Sequence, residues 1–246
     1  MPTPDEQYQQ LVKLAEHDQG VVGFILGGSR GKGMVTDNSD YDIQIIVEDA
    51  VLEGARVKYQ GYKEEKIDLN VLGKRELSIY AVWGSETMWA RYGFAHVKAV
   101  IDKTGDIQRW LDEQELIPTS ALDDAIKQAL DSYLNYTHRS LKSFRDGRDT
   151  AAHLAACDAV PQLITFLFAA EGRVRPYNEY IEWELNLHPL KNLKMDGPTF
   201  AKKIGQILAS GDQAVQKEML DLSRNIAAKS RIGESVLKSW EEYYFG

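Results

Sequence analysis

Residues 27–47 read GGSRGKGMVTDNSDYDIQIIV, and this stretch decides the fold. The apolar run before it, at 21–26, ends in the glycine pair, which indicates a buried strand followed by a tight turn. Alternation of polar and apolar residues then predicts a second strand over 40–47. Asp40 and Asp42 are two residues apart, so both carboxylates project from one face of that strand. Folding alone gives no reason to place two mutually repelling carboxylates there.

A divalent cation supplies such a reason, because Mg²⁺ prefers carboxylate oxygens and bridges them to phosphate. A strand predicted over 64–72 carries Asp68 on its polar face, where it could complete a three-carboxylate site. Such a site holds one or two metal ions that activate an attacking hydroxyl and neutralise a leaving pyrophosphate. The glycine turn supports this interpretation, because Gly28 permits close approach of a phosphate that Ser29 and Arg30 can bind.

This arrangement of glycine turn, paired aspartates and a later strand carboxylate resembles the signature of the nucleotidyltransferase superfamily with the DNA polymerase β-like fold. The residues that carry the resemblance are Gly28-Ser29, Asp40-Tyr41-Asp42 and Asp68. In the second half of the chain, RPYNEYIEWEL at 175–185 is similar to the helical domains of the antibiotic branch, the aminoglycoside and lincosamide adenylyltransferases. The resemblance is specific over the first hundred or so residues and looser beyond them.

The resemblance implies roles for these residues. Asp40 and Asp42 would be catalytic ligands of Mg²⁺, and Asp68 would be a third ligand or the general base. The nucleotide would be held through its phosphates by Gly28, Ser29 and Arg30. We expect ATP, or another nucleoside triphosphate, to donate AMP or its equivalent to a hydroxyl group of a small molecule such as an aminoglycoside-type antibiotic. Lys32, in the same turn, is expected to be a mobile loop charge.

The predicted fold class is α+β, with an N-terminal mixed-sheet domain at 1–117 and an all-α helical bundle at 118–246. Pro118 marks the change, because glycine becomes sparse after it and patterns with a 3.6-residue period dominate. In the first half we predict helices at 5–18 and 76–92, a helix after 104 with Thr104 as its N-cap, and strands at 21–26, 40–47, 55–60, 64–72 and 95–102. In the second half we predict helices at 120–146, 150–171, 177–187, 198–209, 212–228 and 231–244.

The helical half offers candidate substrate-binding residues. An aromatic and acidic cluster could bind a cationic acceptor, although helix packing explains the same residues equally well; its members are Tyr177, Glu182, Trp183 and Glu184. Asp158 lies within an apolar helical run, where a buried charge requires a partner. It is expected either to pair with an arginine or to face a substrate cleft.

Composition limits the partners. The net charge of −8 disfavours binding to nucleic acid. The single Cys157 favours a reducing cytoplasm. The sequence contains no run of about 18 uninterrupted apolar residues, which a membrane-spanning helix requires, so we predict no membrane span. The N-terminus lacks the pattern of a signal peptide.

Three alternatives remain open at this point. The acceptor could be a protein hydroxyl, as in antitoxin-type nucleotidyltransferases, or the chain could be a non-catalytic regulatory module. The spacing of Arg148 and His153 also matches the R-x4-H pattern of HEPN-type ribonucleases, a short pattern that arises easily by chance.

Overall fold

The computed structural model describes residues 2–244, with side chains as far as residue 241. The chain divides into two compact units, Met1–Leu116 and Ile117–Gly246. The first combines a four-stranded mixed sheet with helices, and the described part of the second is built from helices and their connections. The predicted α+β fold class, a mixed-sheet domain followed by a helical one, is therefore confirmed.

In the first unit, helices lie before, between and after the four strands. They are α1 (Pro4–His17), β1 (Val21–Leu26), α2 (Gly28–Gly31), β2 (Tyr41–Val47), α3 (Leu52–Gln60), β3 (Ile67–Gly73), α4 (Lys74–Ile79), α5 (Arg91–Phe94), β4 (Ala99–Asp102) and α6 (Asp106–Gln114). The strand order in the sheet is β3-β2-β1-β4. Strand β1 is antiparallel to both of its neighbours, whereas β2 and β3 are parallel.

Both faces of the sheet are covered by helices. On one face, Leu11 of α1 and Tyr59 of α3 are completely buried against the strands. On the other, Leu77 of α4 and Leu111 of α6 pack in a second cluster around Ile46 of β2. The alternating burial along β2 and β3 agrees with the predicted strand pattern, since each presents every second residue to the first cluster.

Two predicted elements of the first unit are wrong. Residues 55–60, predicted as a strand, belong to helix α3, because Ala55 and Tyr59 are spaced by one helical turn and face the core together. Val57, which suggested a strand, lies on the solvent side of this helix, 76% exposed. The long helix predicted over 76–92 ends at Ile79, since the chain then enters a loop with positive φ at Ala81.

The start of α6 also differs from expectation. Gly105, with φ of 79°, occupies the N-cap position predicted for Thr104. The carboxylate of Asp102 accepts hydrogen bonds from the backbone N–H of Gly105 at 2.7 Å and of Gln108 at 2.9 Å. Oγ1 of Thr104 also accepts a hydrogen bond from the backbone N–H of Asp106, at 3.2 Å. The first turn of α6 is therefore satisfied by two side chains, that of Thr104 and that of Asp102 at the end of β4.

The described part of the second unit contains helices of 7 to 27 residues. They are α7 (Thr119–Arg145), α8 (Asp149–Ala169), α9 (Ile181–Leu187), α10 (Gly197–Ser210), α11 (Gln213–Ala227) and α12 (Arg231–Tyr244). Helix α8 is long and apolar enough to cross a membrane by length and composition alone, but half of its apolar window is buried within the protein. The core helices of soluble proteins meet the same criteria of length and composition, so this is weak evidence for a membrane span. Helix α8 continues without interruption through Pro161.

Candidate active site

A tight glycine turn joins the end of β1 to the short helix α2. The backbone N–H of Gly27 donates to the carbonyl oxygen of Asp42 at 2.8 Å, which fixes the turn against the start of β2. Gly28 has φ of 56°, and a Cβ atom at this position would lie 1.8 Å from Oδ2 of Asp42. At Gly31 a Cβ atom would lie 2.0 Å from the carbonyl oxygen of Leu26. Glycine is thus required at both positions, and at Gly28 it makes room for a carboxylate.

The two strand aspartates are brought together by the sheet. Asp42 of β2 is the register partner of Asp68 of β3 in the parallel pairing. Residues that pair directly across parallel strands point to the same face, so both carboxylates lie on one side of the sheet. Asp42 is half-buried and Asp68 is exposed. Asp40 is exposed just before β2 begins.

The electrostatics of this cluster are unfavourable to a full set of negative charges. Burial raises the pKa of Asp42, and the nearby carboxylates of Asp40 and Asp68 raise it further. Both causes disfavour the ionised form of Asp42, one by removing water and the other by repulsion. A cation placed among the three carboxylates would remove this penalty, which is the electrostatic condition that a metal site requires.

A lysine from the turn between α3 and β3 forms an ion pair with Asp68. Nζ of Lys63 lies 3.0 Å from Oδ1 of Asp68, in an ion pair in which both side chains are more than half exposed. Tyr80 is also near: burial raises the pKa of its hydroxyl, and the charge of Asp68 adds to this increase. Among the side chains that the structure describes, those of residues 2–241, no group of three His, Cys, Asp or Glu is close enough to hold a metal ion as it stands.

Ser29 and Arg30 are both engaged with the segment that leads into β2. Oγ of Ser29 donates to Oγ of Ser39 at 2.9 Å, and Nη2 of Arg30 donates to the carbonyl oxygen of Ser39 at 3.2 Å. The guanidinium carbon of Arg30 lies 4.0 Å from the centre of the Tyr41 ring. These contacts fix both side chains beside the aspartates before any ligand binds.

Lys32 is not the mobile loop charge that its sequence context suggested. It is buried, and its ammonium group donates to the carbonyl oxygens of Tyr92, at 3.0 Å, and of Ala95. The ammonium also lies 4.6 Å from the centre of the Tyr92 ring. Lys32 therefore ties the glycine turn to the end of α5.

The candidate residues of the second unit have mixed environments. Asp158 is exposed, so the alternative in which it is a buried charge paired with an arginine is wrong, whereas a position facing a substrate cleft stays a prediction. Glu182 is exposed as well, whereas Tyr177 and Trp183 are partly buried and each lies 6.3 Å, between ring centres, from Tyr180. Glu184 is buried in an ion pair with Arg173, so its predicted role in binding a substrate amine was wrong. The aromatic part of the predicted cluster is a contiguous set of rings.

Comparison with known proteins gives limited information. No family model matches the chain, and no curated protein matches it. Among solved structures, the chain is similar to a nucleotidyltransferase-like protein from Exiguobacterium sibiricum 255-15, with a TM-score of 0.43 and 13% sequence identity. The match covers 98% of this chain and 78% of that one. At this level of similarity the neighbour says nothing about the substrate of the present chain.

Proposed function

We propose that this chain is a metal-dependent nucleotidyltransferase that transfers a nucleoside monophosphate from a nucleoside triphosphate to a hydroxyl group. The observation that carries the proposal is the direct pairing of Asp42 with Asp68 beside the turn that contains Gly28. Asp42 lies against the glycine turn, and Asp68 lies beside it on the same face of the sheet. The two carboxylates would bind a metal ion, and the turn would bind the phosphates of a triphosphate next to it.

The residues fit a magnesium ion in type and in charge. Asp40, Asp42 and Asp68 supply the hard oxygen ligands that Mg²⁺ prefers, and the raised pKa of Asp42, caused first by burial, marks a place where positive charge is favoured. When bound, the metal would neutralise charge on the phosphates and on the leaving pyrophosphate. Asp68 would have to leave Lys63 to become a ligand.

The chain's own side chains would position the nucleotide and accept a proton. Gly28, Ser29 and Arg30 lie beside the aspartates, where they would hold the phosphates of the donor. Asp68 is the most exposed of the two paired strand carboxylates, which suits it to take a proton from the incoming hydroxyl as well as to bind metal. ATP is the donor we propose, and AMP the group transferred.

The proposed acceptor is a small hydroxyl-bearing molecule in the cytoplasm, with aminoglycosides and lincosamides as the first candidates through the resemblance to the antibiotic adenylyltransferases. Asp158 and Glu182 are exposed carboxylates that a cationic acceptor could pair with, and Tyr177 and Trp183 offer aromatic surface. A protein hydroxyl is the alternative acceptor.

No contact favours the ribonuclease alternative. Nε2 of His153 lies 2.7 Å from the carbonyl oxygen of Leu208, and Arg148 pairs with Asp146 at 2.5 Å. Both groups of the R-x4-H pattern therefore make contacts that explain them as structural residues.

The direct test is transfer of label from the four α-³²P nucleoside triphosphates in the presence of Mg²⁺. Acceptors would be a panel of aminoglycosides, lincosamides and candidate proteins, with chelator in place of Mg²⁺ as the first control. We expect Asp42→Asn and Asp68→Asn to lower transfer by at least about a hundredfold. Glu16→Gln, which removes an exposed carboxylate from α1, should leave it unchanged.

The proposal fails if no acceptor is labelled and if wild type and Asp42→Asn bind the Mg²⁺–nucleotide complex equally weakly. Cleavage of RNA that is lost in His153→Ala would instead support the ribonuclease.

A further inference from the structure

A band of positive charge lies in the second unit of this acidic chain. From the last turns of α7 to the start of α8, a basic residue recurs at every third position: Arg139, Lys142, Arg145 and Arg148. The last two share the carboxylate of Asp146, at 3.0 and 2.5 Å. Arg139 and Lys142 are exposed, and neither has an acidic partner within ion-pair distance among the described residues.

These two cations border a groove formed by α7, α8 and α12. Its volume is about 690 Å³, within the range of about 300–1,000 Å³ that is typical of pockets for small organic ligands. One side is basic, with Arg139, Lys142 and Arg148. Small side chains from α8, Ala151 and Ala155, line another part of it.

An aromatic side chain completes the groove. Trp240 of α12 lines it, and the indole N–H donates to Oδ1 of Asp131 at 2.8 Å. This hydrogen bond orients the indole and engages Asp131, the one carboxylate among the lining residues that the structure describes. Burial lowers the pKa of His138, which also lines the groove, and the positive charges of Lys142 and Arg145 lower it further.

We propose that this groove binds a phosphate ester of a small organic molecule. The phosphate would contact Arg139 and Lys142, and the carbon part would lie along Ala151, Ala155 and Trp240. Arg139 and Lys142 are three residues apart on α7, about 4.5 Å along the helix axis, which suits contact of both with one phosphate group.

A small ester suits the site better than a nucleic acid. Arg139, Lys142 and Arg148 line a single groove, whereas the chain as a whole carries a net charge of −8 that would repel a long polyanion. The groove lies wholly within the second unit and contains none of the residues of the proposed metal site, so the two proposals stand or fall separately.

Calorimetric titration with 1-naphthyl phosphate in metal-free buffer with EDTA tests the inference, because nucleotide-metal binding cannot contribute there. We expect saturable binding with one site per chain, and at least about tenfold weaker binding of 1-naphthol, which lacks the phosphate. The double variant Arg139→Gln/Lys142→Gln should weaken binding of the phosphate at least about tenfold. The matched control is Lys202→Gln/Lys217→Gln, which removes two exposed cations elsewhere in the same unit and should leave the affinity within about twofold.

A second variant, Ala151→Glu, introduces a carboxylate into the groove near the start of α8, where it favours the helix. It should abolish binding while circular dichroism stays unchanged. Absence of saturable binding to wild type, or equal losses in the two double variants, would overturn the inference. So would a single-stranded RNA octamer that binds through Arg139 and Lys142 at least about tenfold more tightly than the small ester.

Discussion

Asp42 and Asp68 are direct partners in the parallel pairing of β2 with β3, although 26 residues separate them in the chain. The pairing fixes both carboxylates on one face of the sheet without any hydrogen bond between them. The carboxylate of Asp42 is half-buried and lies against Gly28 of the glycine turn, whereas that of Asp68 is exposed and forms an ion pair with Lys63. The two halves of the proposed metal site therefore differ in exposure.

Removal of Lys63 should strengthen metal binding. In Lys63→Met, Asp68 loses a competing cation, and because an exposed pair contributes only about 0.2–1 kcal/mol, we expect Mn²⁺ to bind about 1.4- to fivefold more tightly. Electron paramagnetic resonance titration of Mn²⁺ measures this without any turnover. Lys74→Met, which breaks a similarly exposed pair with Glu48, should not change the affinity. Equal or weaker binding in Lys63→Met would show that Lys63 does not compete with the metal.

Replacement of Gly28 tests the other half of the site. In Gly28→Ala the new Cβ atom would lie 1.8 Å from Oδ2 of Asp42, so the carboxylate must move, and we expect Mn²⁺ affinity to fall about ten- to a hundredfold. Gly33→Ala is the matched control, because Gly33 also has a positive φ, of 73°, but nothing lies within 4 Å of its Cβ position. Each variant carries the backbone cost of about 1–2 kcal/mol for a side chain at positive φ. A loss of affinity that is the same in both would assign the effect to the backbone.

The side of the sheet on which Asp42 and Asp68 lie could be predicted from the sequence, because the alternation of side chains along a strand is a local property. The facing of Asp68 away from Ile67 and Leu69 follows from a period of two, and the structure reproduces it. The ion pair between Lys63 and Asp68 could not be predicted from the sequence. Lys63 belongs to a polar turn whose charged residues follow no period, so nothing in the sequence indicates which of them contacts Asp68. The prediction of a strand at residues 55–60 was wrong for a different reason: a run this short fits both the period of a strand and that of a helix.

The contacts of Lys32 also could not be predicted from the sequence, because its partners are distant in the chain. The burial of Lys32 leads to a prediction about stability. Its carbonyl partner in Tyr92 lies 60 residues later in the chain. In Lys32→Met, buried carbonyl oxygens lose their donor, and we expect the free energy of unfolding to fall by about 2 kcal/mol. Urea denaturation measures this. Lys66→Met removes a single exposed hydrogen bond, to the carbonyl oxygen of Asn38, and should cost less than about 0.5 kcal/mol. Equal effects would mean that Lys32 is as accessible to water as Lys66.

The carboxylate that caps α6 should make stability depend on pH. Burial alone would raise the pKa of Asp102, but backbone hydrogen bonds, led by that from Gln108, outweigh it and lower the pKa below its ordinary value. A carboxyl group whose pKa is lowered by folding stabilises the protein above its unfolded pKa, near 3.9, and this contribution is lost as the pH falls through the folded value. Asp102→Ala should therefore reduce the free energy of unfolding by about 1–2 kcal/mol at pH 7. The difference from wild type should shrink between about pH 4 and pH 2. Urea denaturation at pH 7, 4 and 2.5 measures the trend, with Glu65→Ala, an exposed carboxylate with no hydrogen bond among the described residues, as the control. A difference that stays constant as the pH falls would show that Asp102 acts through packing and not through its charge.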